Sequence, residues 1–327
     1  MTSETKRVTI NDVARVAGVS RQTVSRALND KGEIDGATKQ RVLDAARDLG
    51  YRPSRFARGL VRQDTTTIGL VIPDLLNPFF TEVAAAALEA ARGRGWHVVV
   101  YDTADSVDEE RGTLEAIGAQ VDAVVGYFSL TEAELDKHTA GMPVVLIGRE
   151  HRIARFGSIS IDGALGVRQA IDHLVAAGHR RIGMLDHAGR AEPSVRREWF
   201  AAAMEAHGLA ADAVAPAVQS VDGGAVALTG LLDREPGVTA VFTFNDIIAI
   251  GALRSARKRG LAVPADLAVI GFDGLQLGTV VDPALTTVAL DTREIGASAI
   301  EQVGRLIDGG TAEDLVLHAA LLVRESA

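Results

Sequence analysis

Gln22, Ser25, Arg26 and Asn29 fall at i, i+3, i+4 and i+7 of a segment whose apolar residues have helical spacing, so they share one outward face. Amide, guanidinium and hydroxyl groups on a single helix face suit the edges of bases and the oxygens of phosphates. A second set of groups lies further along the chain, mostly just after short β-type runs. It comprises Asp74, Asn77, Phe79 and Phe80, then Gly148 and Arg149, then Phe244, Asn245 and Asp246, then Phe272 and Asp273, with Ser194 and Arg196 in another polar stretch. Arg, Asn and Asp beside aromatic rings bind sugars, through forked hydrogen bonds to hydroxyls and a flat face for stacking. One such residue alone is more often a loop cap; their shared placement after strands carries the reading.

Other chemistries find little support. The chain has no cysteine, so it has neither disulfides nor a thiol nucleophile. Its eight histidines form no HExxH or Cys/His zinc pattern, and no G-x-S-x-G elbow, G-x-G-x-x-G turn or GKS/GKT loop is present. The acidic pair Glu109 and Glu110 reads as a solvated helix face. An enzyme, a metal site and a bound cofactor are therefore not expected. No apolar run approaches the ~20 residues of a membrane-spanning helix, and the N-terminus lacks the apolar core of a secretion signal, so the cytoplasm is expected.

Three short helices must position the first set. Ile10, Val13, Ala14 and Ala17 recur at helical spacing with Asn11 as the expected cap, and Gly18 supplies a tight turn followed by an apolar Val19. Ser20 is the expected cap of a second helix whose Val24, Ala27 and Leu28 face inward, and Asp35 caps a third carrying Val42, Ala45, Ala46 and Leu49. After Tyr51, Arg52 and Pro53, Ser54 can cap a short helix through Val61. That helix is too short to stand alone in water, and Gly59 weakens it by about 1 kcal/mol relative to Ala.

The second set needs a different scaffold. Apolar β-type runs at 68–72, 98–101, 121–125, 144–147, 159–161, 182–185, 240–244 and 267–271 alternate with helical segments, including 80–92, 165–177 and 247–258. Continuous apolar strands separated by helices imply doubly wound parallel sheets covered on both faces. So many units make two α/β lobes, with a ligand cleft at the strands' carboxyl ends. The expected organisation is an all-α helix-turn-helix domain at 1–52, a basic segment at 53–66 that is a flexible linker or a short helix, and a two-lobed domain at 67–327. Charge follows the same division. Residues 1–62 hold 13 basic and 7 acidic residues, net +6, while the remaining 265 hold 21 and 36, net −15. A basic head on an acidic body concentrates attraction for a polyanion in one place.

The run from Thr9 to Asn29 resembles the opening pattern T-I-x-D-V-A-x-x-A-G-V-S-x-x-T-V-S-R-x-L-N of the LacI/GalR family of transcription regulators. NPFF at 77–80, GHRRIG at 178–183, FxxND at 242–246, VPADLAVIGFD at 263–273, LTTV at 285–288 and VRES at 323–326 extend the resemblance nearly to the C-terminus. It implies a periplasmic-binding-protein-like body and a homodimeric repressor of carbohydrate-metabolism genes. Such a protein binds a pseudo-palindromic double-stranded operator under the control of a small molecule, with a sugar expected. By the resemblance, Arg21, Gln22 and Arg26 read bases, while Ser20, Thr23, Ser25, Asn29 and Thr38 touch phosphates. The resemblance favours a hinge helix for 53–66; Ala57 lets that hinge approach the minor groove, and Leu60 wedges into its central base step. Phe79, Phe80, Arg149, Arg196, Asn245 and Asp273 match effector positions. GHRRIG and LTTV mark a helix-to-strand turn and a lobe crossover. Two residues depart from the family pattern: Gly148, where an acid is common, implies more room and one acceptor fewer, and Trp199 replaces a usual glycine. A purine- or nucleoside-responsive regulator and a transport-type sugar receptor are the alternatives; the basic head separates the receptor from the regulators.

Overall fold

The computed structural model describes residues 10–28, 34–49, 65–118, 120–139, 141–149, 156–188, 194–311 and 313–327. The chain divides into two compact units between Thr65 and Thr66.

In the first unit, α1 (Ile10–Ala17), α2 (Arg21–Leu28) and α3 (Gly36–Asp48) enclose a core of Val13, Ala17, Val24, Ala27, Val42, Ala45 and Ala46. Gly18 takes φ +67°, and the Val19 amide reaches back to the Ala14 carbonyl at 3.1 Å, closing α1 with a left-handed turn. Val19 packs on that core. Asn11, expected as the cap of α1, instead lies within its first turn, since the helix already includes Ile10.

The second unit holds two six-stranded sheets. The first lobe begins with β1 (Thr67–Ile72), α4 (Pro78–Gly93), β2 (His97–Asp102), α5 (Val107–Ile117), β3 (Ala123–Gly126), α6 (Glu132–Thr139), β4 (Val144–Ile147) and β5 (Phe156–Asp162). The second follows with α7 (Ala164–Ala176), β6 (Ile182–His187), α8 (Val195–Ala206), β7 (Val214–Ala217), α9 (Val221–Arg234), β8 (Ala240–Thr243), α10 (Asp246–Lys258), β9 (Ala268–Asp273) and β10 (Thr286–Ala289). The chain then returns to the first lobe as α11 (Thr292–Ile307) and β11 (Asp314–His318), and ends in the second as β12 (Ala320–Leu322). Strand orders are β11-β5-β4-β3-β1-β2 and β12-β10-β9-β8-β6-β7. Among the described residues every strand pairing is parallel except β10 with β12, so the second sheet carries an antiparallel edge.

Both faces of each sheet are covered. In the first lobe, Val83 and Ala87 of α4 and Ile295 and Ile300 of α11 pack on one side, with Leu114, Ile117 and Leu135 of α5 and α6 on the other. In the second, Val167, Ile171, Phe200 and Met204 of α7 and α8 oppose Leu228, Leu231, Ile248 and Ala252 of α9 and α10. Burial on two sides explains the unbroken apolar strands.

The chain passes between lobes at Asp162–Gly163, at Leu290–Asp291 and at Ala319. LTTV, expected as a crossover, is a strand of the second sheet, and the crossover follows it. Gly178 at φ +99° makes the turn from α7 into β6.

Candidate functional site

On α2 the Ser20 hydroxyl caps the helix, accepting the Thr23 amide at 3.1 Å and lying 2.9 Å from the Thr23 hydroxyl. That cap sets the helix so that Arg21, Gln22 and Arg26 are exposed, with Thr23 and Ser25 half-buried beside them. Thr38 begins α3 with its amide and hydroxyl on the Asp35 carboxylate, at 3.1 and 3.3 Å, and accepts a bond from Arg41 at 3.3 Å. Ser20, Thr23 and Thr38 therefore serve the fold through hydroxyls that a phosphate can share. Asn29, Ala57 and Leu60 lie outside the described residues.

The expected ligand cleft lies where the strands of the two lobes end. Arg196 stands in the first turn of α8, set there by Ser194, whose hydroxyl accepts the Arg197 amide at 3.1 Å and donates to Asp186 at 2.6 Å. The guanidinium is sandwiched between Phe244 and Phe272, 4.4 and 3.8 Å from the ring centres. It donates to the Phe244 carbonyl and, at 3.3 Å, to Asp273. Asp273 ends β9 at φ +119°, almost wholly buried. Burial pushes its carboxyl up to about 8, although the Arg196 charge pulls the other way. Burial likewise lowers the pKa of Arg196, against the opposing pull of Asp273 and Asp246.

Neighbouring Asp246 is fully buried and accepts the Thr287 hydroxyl at 2.6 Å and the Leu275 amide at 2.7 Å. Its carboxyl is raised to about 6 by the same desolvation. These bonds tie α10 to the segments that follow β9 and lead into β10. Asn245 caps α10 through the Ile248 amide at 3.0 Å, and its own amide nitrogen donates to Gln219 at 2.8 Å.

From the first lobe, Phe80 is half-buried and meets Tyr127 edge-on at 5.0 Å. Phe79 is buried in the core behind, edge-on to Phe80 at 5.3 Å, so its ring supports the wall rather than presenting a stacking face. Arg149 follows β4, and its Nε and Nη2 are buried without a hydrogen-bond partner among the described residues. Desolvation lowers its pKa, with Glu132 and Glu110 opposing.

Two cleft residues escaped sequence reasoning. Tyr127, just past β3, has a buried hydroxyl with no hydrogen-bond partner among the described residues. Burial raises its pKa, the Asp273 charge raises it further, and Arg196 opposes, so the phenol of one lobe is coupled to Arg196 and Asp273 of the other. His187 ends β6, stacked on Phe244 at 5.2 Å, with Nε2 3.7 Å from Asp105 of the first lobe. Both stand at strand ends, the same placement that marked Arg149 and Asp273.

A Cβ at Gly148 would lie 3.5 Å from the Tyr127 ring, an ordinary contact, and its φ of +84° is one that other residues rarely adopt. The reading of the acidic pair needs correction. Glu110 is not solvated: it is buried in α5 and accepts the amides of Ser129 at 2.8 Å and Leu130 at 3.1 Å, while Glu109 is exposed.

Among the described residues no cluster of three metal-binding side chains occurs, and no helix is long and apolar enough to cross a membrane.

The model for bacterial regulatory proteins of the lacI family matches residues 9–54, and that for a periplasmic binding protein-like domain matches 171–327. Catabolite control protein A of Priestia megaterium is 31% identical, over 95% of this chain and 96% of that protein. Among solved structures, the lac repressor dimer bound to operator and the anti-inducer ONPF aligns with a TM-score of 0.75 at 26% identity, covering 98% of this chain and 99% of that one. The transcriptional regulator CelR in complex with cellobiose gives 0.71 at 31% identity, covering 98% and 100%.

Proposed function

The chain belongs to the LacI family of bacterial regulatory proteins, and from that premise we propose that it represses transcription as a homodimer on a pseudo-palindromic operator, under the control of a carbohydrate held between its lobes. The observation that carries the DNA half is α2, capped by Ser20 and exposing Arg21, Gln22 and Arg26 together. Arg26 suits a bidentate contact to guanine and Gln22 an adenine edge. Ser20, Thr23, Ser25, Asn29 and Thr38 hold register on phosphates. Residues 1–52 form the reader, 53–66 the hinge and 67–327 the sensor, and the whole acts in the cytoplasm without catalysing a reaction. Paired hinges place Ala57 against the minor groove and Leu60 in its central step.

The cleft half rests on Tyr127, which meets Phe80 in one lobe and is coupled by charge to Arg196 and Asp273 of the other; Arg149, just past β4, is added for its two buried donors. Phenol, guanidinium, carboxylate and half-buried ring are the partners a sugar needs. Asn245 joins them by exchanging its Gln219 bond for a ligand hydroxyl, and Phe79 backs the wall. A cellobiose complex in a relative of similar fold supports a carbohydrate over a nucleoside. A coupling of about 1–3 kcal/mol between cleft and DNA is sufficient for control.

Selection of binding sites from random duplexes by the full chain tests the DNA half. Footprints in two successive major grooves with central minor-groove protection are expected, and Leu60→Ala removes the central protection. A thermal-shift screen of sugars against nucleosides tests the cleft, since a ligand bound only by the folded state raises the melting temperature. A shift with nucleosides alone overturns the carbohydrate reading.

A further inference from the structure

The three crossovers between the lobes converge on one packed spot. The Asp162 carbonyl accepts the Ala319 amide at 3.0 Å, and its carboxylate accepts the Ala164 amide at 3.2 Å, fastening the first crossover to the third. A Cβ on Gly166 would lie 2.5 Å from Val288 of β10, the strand that feeds the second crossover, and 2.9 Å from the Ala319 carbonyl. One outer side chain closes this cluster. A Cβ on Gly163 would lie 2.3, 2.8 and 3.0 Å from Cζ3, Cη2 and Cε3 of Trp199, so the six-membered ring of the indole sits directly on the Gly163 backbone.

Gly163 has φ −90° and ψ −11°, a conformation open to any residue. Its lack of a side chain is therefore matched to the indole and not to a turn. Trp199 lies three residues after Arg196 on α8, so the two project from one side of that helix. A single rigid element thus carries a guanidinium in the cleft and an indole on the first lobe crossover.

We propose that Trp199 is a positioning residue that braces the lobe crossovers, so that movement of α8 at the Arg196 end is transmitted to the angle between the lobes. The proposal does not depend on which effector the cleft takes, because the bracing is a property of the ligand-free protein. It also gives a role to a large side chain at a position where the family resemblance implies glycine.

Amide hydrogen exchange on the ligand-free full chain tests it with Trp199→Ala, Trp199→Phe, Gly163→Ala and the double variant. Trp199→Ala is expected to speed exchange at residues 162–164 and 319 by about tenfold, while core amides such as Leu70, Val125 and Ile270 keep their wild-type rates. Trp199→Phe restores most of the protection. Gly163→Ala drives a methyl into the indole and disturbs the same crossover amides, and adding Trp199→Ala relieves that disturbance. Unchanged crossover rates in Trp199→Ala overturn the proposal, and so does equal acceleration throughout the sheet cores, which marks a structural role only. Should Trp199→Ala fail to fold, Gly163→Ala in the wild-type background decides by the same two criteria.

Discussion

Among the described residues the buried Tyr127 hydroxyl, coupled by charge to Arg196 and Asp273, has no hydrogen-bond partner, and leaving such a group unmatched costs about 1–3 kcal/mol. Tyr127→Phe removes the unmatched group and keeps the ring against Phe80. The ligand-free variant is expected to melt higher, by about 2–4 °C for each kcal/mol relieved in a unit of this size. A melting temperature equal to or below wild type would mean that the hydroxyl is already satisfied. Asp273 gives a pH dependence with a definite sign. Burial raises its carboxyl to about 8, far above the value of about 3.9 for an unfolded chain, so the folded state holds the proton more tightly. Its stabilising contribution is complete below about pH 4 and is lost as pH rises toward about 8. Urea unfolding across that range should show stability falling with pH, and Asp273→Asn should flatten the decline, leaving the smaller contribution of Asp246 raised to about 6. Both carboxylates were legible as strand-end acids. Phe79 was misplaced because consecutive helical residues point about 100° apart, and the sequence does not say which ring of a Phe-Phe pair faces the core.

At the scale of elements, what could be read followed burial. β1 and β4 are flanked by strands on both sides; β4 reads Val-Val-Leu-Ile without a break, and in β1 only Gly69 interrupts the apolar run from Ile68 to Ile72. The strands not anticipated are β7, β10, β11 and β12. Three of them are sheet edges: β7 reads Val-Ala-Pro-Ala, β11 alternates in exposure, and β12 has three residues. An edge strand is exposed along one side and needs no continuous apolar stripe. β10 is internal, but its Thr286 and Thr287 are polar because their hydroxyls bond to Arg324 and Asp246. Among the described residues caps were more uniformly legible: Ser20 and Asp35 perform the expected role and Asn11 does not, while Ser54 lies outside the described residues. The cap of α8 bears most directly on the cleft. Ser194 joins the Arg197 amide to the buried Asp186, and Arg196 follows within the same turn. Ser194→Ala should cost about 1–2 kcal/mol, read as a lower urea midpoint at unchanged slope. Ser194→Thr keeps the hydroxyl and should stay close to wild type; an equal loss in both variants would show that packing, and not the cap, is responsible.

Over the whole molecule, the separation of charge governs how DNA is approached. A net +6 over residues 1–62 and −15 over the rest leave the head to attract phosphates while the body repels them. Binding of the full chain to duplex DNA should therefore weaken steeply with salt, with a slope of about −0.9 for each phosphate neutralised. The same measurement separates the two roles open to Arg26, which is exposed on α2 beside Gln22. If Arg26 reads a guanine, Arg26→Ala costs about 1–3 kcal/mol on the preferred site and relaxes preference at one base pair per half-site. Binding to unrelated duplexes then changes little. If it holds a phosphate, all sequences lose affinity alike and the slope shrinks by about 1 per subunit. The exposed guanidinium, with the hydroxyls of Ser20 and Thr23 already turned to the helix start, leads us to expect the first outcome. Titrations of preferred and scrambled duplexes at several salt concentrations, for wild type and Arg26→Ala, distinguish the two. A uniform, salt-steep loss would move base reading from Arg26 to Arg21 and Gln22.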